Sequence, residues 1–214
     1  MNLLFDLDGT LTDPFDGITR SLQHAVAHFD VAVPPQEALM SYIGPPLRKT
    51  LPALIGSEDP AMVEHALRLY RERFSAVGWC ENRVYDGIPA LLDGLVDAGH
   101  RLFVCTAKPV GFARRIVEYF ELARHFEAVY GSELDGCYED KGELIGLILQ
   151  QHGLLPAASL MIGDRDNDIM AARKACVGCI GVTWGYGDAT ELAPADALCH
   201  APAELPAVIA RLTA

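Results

Sequence analysis

Asp6 and Asp8 stand one residue apart in "LLFDLDGTLTD" (residues 3–13), directly after the apolar run Leu3-Leu4-Phe5. Such a run reads as a buried strand, and a carboxylate taken out of water needs a partner or a task. A carboxylate can attack a phosphoryl group and carry it as an aspartyl-phosphate. Expelling an alcohol then requires a proton donor, which afterwards can deprotonate the attacking water. Asp6 for attack and Asp8 for proton traffic meet both needs. Asp164 follows "LMIG" in "GDRDNDIMAA", with Asp166 and Asp168 close behind, and Thr106 follows "LFVC". Three or more carboxylates brought together repel one another, so their pKa values rise or a cation joins them. Hard oxygen donors with few nitrogens or thiols nearby suit Mg²⁺. The chain has four lysines, at 49, 108, 141 and 174. Lys141, at an expected helix start in "YEDKGELI", sits where backbone N–H groups also favour an anion. Thr106 can donate a hydrogen bond to a phosphate oxygen.

These residues are far apart in sequence, so a fold must gather them. Short apolar runs alternate with amphipathic stretches, the pattern of an open α/β sheet. Strands are expected over 3–7, 102–105, 128–130, 160–162, 179–182 and 197–199. Helices are expected over 89–98, 111–120, 142–152 and 203–212, with apolar residues at i, i+3, i+4 and i+7. In open α/β sheets ligands sit beyond the carboxyl ends of the strands, which is where Asp6, Asp8, Thr106 and Asp164 fall. Residues 14–80 break the alternation and read as helices alone. One stripe is Ile18, Leu22, Ala25, Val26 and Phe29. Another is Val63, Leu67, Tyr70, Phe74 and Val77, behind a start signal at Ser57-Glu-Asp-Pro60. "GPPLRKTL" (44–51) is a turn entering a short helix. The expected organisation is a core of residues 1–13 and 81–214 with an all-helical insert over 14–80.

The 214 residues are 50% hydrophobic and 21% charged, as in an ordinary globular protein. No apolar stretch reaches the ~18 residues that cross a bilayer. Asp6 and Asp8 interrupt the apolar N-terminal run, which argues against a signal peptide. The expectation is a cytoplasmic protein whose six cysteines are thiols. A net charge of −12 opposes binding to nucleic acid or to an anionic membrane face. An anionic substrate then needs cations concentrated locally, as side chains or as metal.

"DLDGT" (6–10), Thr106 in "CTAKP", Lys141 and "GDRDND" (163–168) resemble, in order and spacing, the four motifs of the haloacid dehalogenase-like (HAD) hydrolase superfamily. The helical insert is similar to that family's mobile cap. The resemblance implies a Rossmann-like parallel-sheet core, Mg²⁺ dependence and an aspartyl-phosphate intermediate formed from a small phosphorylated metabolite. It makes Asp6 the nucleophile and a metal ligand. Asp8 becomes the acid/base and offers its backbone carbonyl to the metal. Thr106 and Lys141 bind the phosphoryl group, Asp164 ligates metal directly, and Asp168 ligates through water. Ala107 and Lys108, next in "CTAKP", are read from the sequence as substrate- or phosphate-binding, with capping of the following helix the alternative for Lys108. Arg48 is the cap residue expected to reach substrate. "GPPLRKTL", "VYDGI" and "TAKP" are most similar to the phosphoglycolate phosphatase-like branch, including members described as 5′-nucleotidases.

Other chemistries of the superfamily separate on single residues. A dehalogenase has no need of Asp8, a cation pump needs membrane helices, and a phosphonate hydrolase needs a cap Schiff-base lysine for which only Lys49 is available. A sugar phosphomutase keeps the whole constellation. A different class is a non-catalytic phosphometabolite-binding protein on this fold. His24 and His28 lie at i, i+4, but with no third ligand they read as structural helix residues. Cys176 and Cys179 form a lone CxxC that reads as packing thiols. Trp184 and Tyr186 in "TWGYG" read as loop packing against the core. Asp166 is extra to the family pattern and receives no role.

Overall fold

The run after Met1 forms the central strand of a six-stranded sheet. The structure, a computed structural model, describes residues 1–213. The strands are β1 (Asn2–Phe5), β2 (Arg101–Pro109), β3 (Ala128–Ser132), β4 (Ser159–Gly163), β5 (Gly178–Val182) and β6 (Ala197–Cys199). All pairings are parallel, in the order β3-β2-β1-β4-β5-β6. A parallel sheet is covered on both faces, so its inner strands are apolar runs rather than alternations. Accordingly Leu3, Leu4 and Phe5 are all buried. The order reverses at β1, which leaves a crevice beyond the carboxyl ends of β1 and its neighbours. In register, Phe5 lies beside Val104 of β2 and Ile162 of β4. Thr106 and Asp164 therefore end up beside Asp6. Strand β2 runs past the expected end at Cys105 to Pro109, and its pairing with β3 is irregular between Cys105 and Pro109. Thr106 thus lies within this strand rather than after it.

The chain divides into two compact units, Met1–Asp13 with Val84–Ala214, and Pro14–Arg83. The second contains α1 (Phe15–Val26), α2 (Leu47–Ile55) and α3 (Pro60–Arg73). Asp59 caps α3 by accepting the Ala61 N–H at 3.0 Å, and Pro60 opens its first turn. Val63, Leu67, Tyr70 and Phe74 are buried as the stripe requires, but Val77 is 40% exposed. The helix widens into a π turn over Phe74–Gly78, and the wider turn rotates Val77 out of the apolar stripe. A 3₁₀ segment, Gln36–Tyr42, was not expected from the sequence. The helical unit continues to Arg83, beyond the expected end at Cys80, because Glu81 is tied into it by Arg73 at 2.7 Å and Arg20 at 3.1 Å.

In the core unit, α4 (Ile88–Asp97), α5 (Val110–Tyr119), α6 (Lys141–His152) and α7 (Asp166–Lys174) connect the strands. One buried cluster joins Leu144, Ile145 and Ile148 of α6 and Ile169 of α7 to Leu4, Phe103 and Met161 of the sheet. At about 25 cal/mol per Å² of apolar surface, this burial holds β1 and β4, and so Asp6 and Asp164, at fixed positions.

Candidate active site

Beyond β1 the chain turns sharply through Asp6-Leu7-Asp8-Gly9. The Gly9 N–H donates to the Thr12 carbonyl at 2.8 Å, and Gly9 has φ +84°. A Cβ at Gly9 would overlap the Asp164 carboxylate, so glycine is required both by conformation and by space. The turn leaves Asp6 and Asp8 buried at one edge of the sheet.

Lys141, the first residue of α6, reaches this edge. Its Nζ lies 2.9 Å from Asp6 Oδ2 and 2.5 Å from Asp168 Oδ1. Asp6 Oδ1 accepts the Leu7 N–H at 2.7 Å, and Asp168 Oδ2 accepts the Arg165 N–H at 3.0 Å. Asp164 Oδ1 accepts from Thr10 Oγ1 at 3.3 Å, and its Oδ2 accepts the Tyr186 N–H at 2.8 Å. Lys108 Nζ pairs with Asp8 Oδ2 at 2.5 Å, while Asp8 Oδ1 is buried with no hydrogen-bond partner among the described residues. Thr106 is buried with its Oγ1 accepting the Lys108 N–H at 3.3 Å, and the Ala107 carbonyl accepts Ser132 Oγ at 2.8 Å. The structure thus gathers Asp6, Asp8, Lys108, Lys141, Asp164 and Asp168 into one linked group.

Arg48 belongs to the helical unit, where its Nε lies 2.8 Å from Glu64 Oε1. The expectation that free N–H groups at the start of α6 attract an anion is not met. Asp140 takes the Gly142 and Glu143 N–H groups at 2.8 and 3.3 Å, and Lys174 holds Asp140 at 2.7 Å. That helix end is already satisfied by its own cap. Asp166 is placed at the exposed start of α7, its N–H donating to Glu191 at 2.8 Å. His24 and His28 touch ring to ring at 5.2 Å, and all six cysteines are free.

Burial raises the pKa of Asp8, and the charge of Lys108 offsets this only in part. Burial, then the neighbouring Asp168 and Asp6 charges, push Asp164 well above the usual carboxylate range. Burial raises Asp168 to about 6 despite Lys141 beside it. For Lys141, burial opposes the charged form, but Asp168 and Asp6 outweigh it and hold the ammonium protonated. Four carboxyls thus share two ammoniums, so two carboxyls have no cationic partner and either keep their protons or take a metal ion. Oxygens of Asp6, Asp164 and Asp168 lie within 4.8 Å of one another, all buried. An all-oxygen donor set with more carboxyls than ammoniums fits a hard divalent cation such as Mg²⁺.

Sequence reasoning missed the partners that hold this group. Glu191 binds Arg165 at 2.7 Å, Lys174 binds Asp140, and Trp184 and Tyr186 bond to the loop after β1. Each bridges distant positions, and side-chain periodicity carries no signal for that.

The model of the haloacid dehalogenase-like hydrolase family matches residues 3–182. A 5′-nucleotidase of Pseudomonas aeruginosa is 50% identical over 191 residues, spanning 89% of this chain and 86% of that protein. The tyrosine-protein kinase PtkA of Mycobacterium tuberculosis is 40% identical over 187 residues, 87% of this chain and 63% of that one. A phosphoglycolate phosphatase of Agrobacterium fabrum is 34% identical over 216 residues, covering 98% of this chain and 92% of that enzyme. Among solved structures, a predicted phosphatase from Clostridium acetobutylicum superimposes with a TM-score of 0.94 at 39% identity, over 98% of each chain. The parallel sheet, the four motifs in place and these likenesses identify the chain as a member of the haloacid dehalogenase-like hydrolase family, of its phosphatase kind.

Proposed function

We propose that this phosphatase hydrolyses small phosphate monoesters, nucleoside 5′-monophosphates foremost, through a phosphorylated Asp6. The observation that carries the reading is the buried group in which Lys141 bridges Asp6 and Asp168 beside Asp164, with Asp8 two residues from Asp6. An Asp6 carboxylate oxygen attacks phosphorus as the ester P–O bond breaks. Asp8, whose raised pKa favours holding a proton, gives that proton to the departing alkoxide. Asp8 then takes a proton from water, whose oxygen attacks phosphorus. The P–O bond to Asp6 breaks and inorganic phosphate leaves. Thr106, the Ala107 peptide, Lys108 and Lys141 are assigned to hold the phosphoryl oxygens, and Arg48 to contact the rest of the substrate. Lys141 fixes the attacking oxygen and takes up negative charge as it develops. Asp6, Asp164, Asp168 and the Asp8 backbone carbonyl would hold Mg²⁺. When bound, that ion supplies positive charge against the transferring group.

The choice of nucleotides is supported by the 50% identity to a 5′-nucleotidase, with 2-phosphoglycolate the second candidate from the 34% relative. The test is a screen of phosphate monoesters with Mg²⁺, ranked by kcat/KM, on the wild type, Asp6→Asn and Arg48→Ala. Nucleoside 5′-monophosphates should lead, Asp6→Asn should be inactive, and Arg48→Ala should narrow the gap between them and p-nitrophenyl phosphate. Isomerised hexose phosphate without net phosphate release would instead make the enzyme a mutase. Tight binding with no turnover of any ester would make it a binding protein.

A further inference from the structure

The segment Trp184–Gly187 follows β5, far in sequence from β1, yet its indole, phenol and Tyr186 N–H reach the β1 loop and Asp164. Trp184 Nε1 donates to the Thr10 carbonyl at 3.0 Å. The Tyr186 N–H donates to Asp164 Oδ2 at 2.8 Å, and its phenol donates to Asp13 Oδ1. Burial and the Asp13 carboxylate keep that phenol protonated, and so a donor. The backbone lies too close for side chains. A Cβ at Gly185 would overlap both the Gly9 carbonyl and the Asp164 carboxylate, and one at Gly187 would overlap the Asp164 carbonyl. Thr10 Oγ1 meets the other Asp164 oxygen, so the carboxylate is gripped from two sides. A carboxylate alone on its Cβ is free to rotate. Two donors at fixed positions select one orientation, and the remaining lone pairs are then aimed in advance.

We propose that Trp184–Gly187 is a positioning strap for the metal centre: it orients the Asp164 carboxylate and anchors the Gly9–Asp13 loop against it. This rests on Asp164 being a metal ligand, as read above. The strap's effect passes through Asp164 and the loop, so it belongs in metal affinity more than in the chemical step.

The experiment measures Mn²⁺ binding directly, by electron paramagnetic resonance of the free ion, on metal-free wild type, Trp184→Phe, Tyr186→Phe and Gly185→Ala. Trp184→Phe and Tyr186→Phe keep the Tyr186 N–H but release the loop that carries Thr10, and each should weaken Mn²⁺ binding roughly 10-fold, the low end for supporting-shell changes; the Gly185→Ala overlap should weaken it by more. With p-nitrophenyl phosphate, the Mg²⁺ concentration for half-maximal rate should rise by a larger factor than kcat at saturating Mg²⁺ falls. If Gly185→Ala does not fold, the two phenylalanine variants decide the matter. Wild-type Mn²⁺ affinity in both, with only a lowered melting temperature, overturns the strap and leaves the metal reading standing. A wild type that takes up no Mn²⁺ overturns the metal reading itself, and the strap with it.

Discussion

Replacing Lys141 with methionine tests the electrostatics of the buried group. Lys141 is 4% exposed and lies 2.5 Å from Asp168 and 2.9 Å from Asp6. Removing one partner of a buried ion pair costs about 3–5 kcal/mol when the remaining charge stays ionised. In a chain this long, about 1 kcal/mol moves Tm by roughly 2–4 °C, so the variant should melt roughly 6–20 °C lower at pH 7.5 without metal. The loss should depend on pH. Asp168 already holds its proton to about 6 in the folded wild type, against 3.8 ordinarily. That gap is worth about 3 kcal/mol, and losing Lys141 widens it. The folded state then binds more protons than the unfolded one. The stability this proton uptake contributes is full below pH 3.8 and is lost as pH rises through the folded pKa. At pH 5 the stranded Asp168 carboxyl is neutral, and the Tm deficit should be less than half that at pH 7.5. Thermal melts by circular dichroism at the two pH values measure it. An equal deficit at both, or none at pH 7.5, would refute the reasoning.

Two further predictions follow from the same group. Asp8→Asn should lower kcat roughly 10²- to 10⁴-fold, the span of general acid–base catalysis, while far-ultraviolet circular dichroism stays unchanged; a kcat within a factor of two of wild type would remove Asp8 from proton transfer. Mg²⁺ at about 100 times its pH 7.5 Kd should stabilise the wild type by about 2.7 kcal/mol at pH 7.5 and by less at pH 5, where Asp168 holds a proton that the ion must displace. A shift in melting temperature that is larger at pH 5 would contradict the assignment of the ligands.

The sheet was legible because its inner strands are continuous apolar runs, and parallel topology brings their ends together whatever the sequence separation. Asp6, Thr106 and Asp164 could be placed side by side on that ground alone, even though β2 runs on past Thr106. The α3 stripe was legible up to Phe74, where the π turn breaks the 3.6-residue period and turns Val77 to solvent. The start of α6 looked open to an anion because Asp140 was not recognised as its cap, nor Lys174 as the partner of Asp140. The pairing of Lys108 with Asp8 joins residues 100 positions apart and carries no local signal. The bonds of Trp184 and Tyr186 span more than 170 residues, and no local pattern reports them.

The most direct measurement is rapid acid quench of wild-type enzyme mixed with radiolabelled nucleoside 5′-monophosphate and Mg²⁺, followed by peptide mapping. Label bound as an acyl phosphate at residue 6 within the first turnover, and absent from Asp6→Asn, is the predicted result. Full turnover with phosphate released and no protein-bound label at any time would contradict the account.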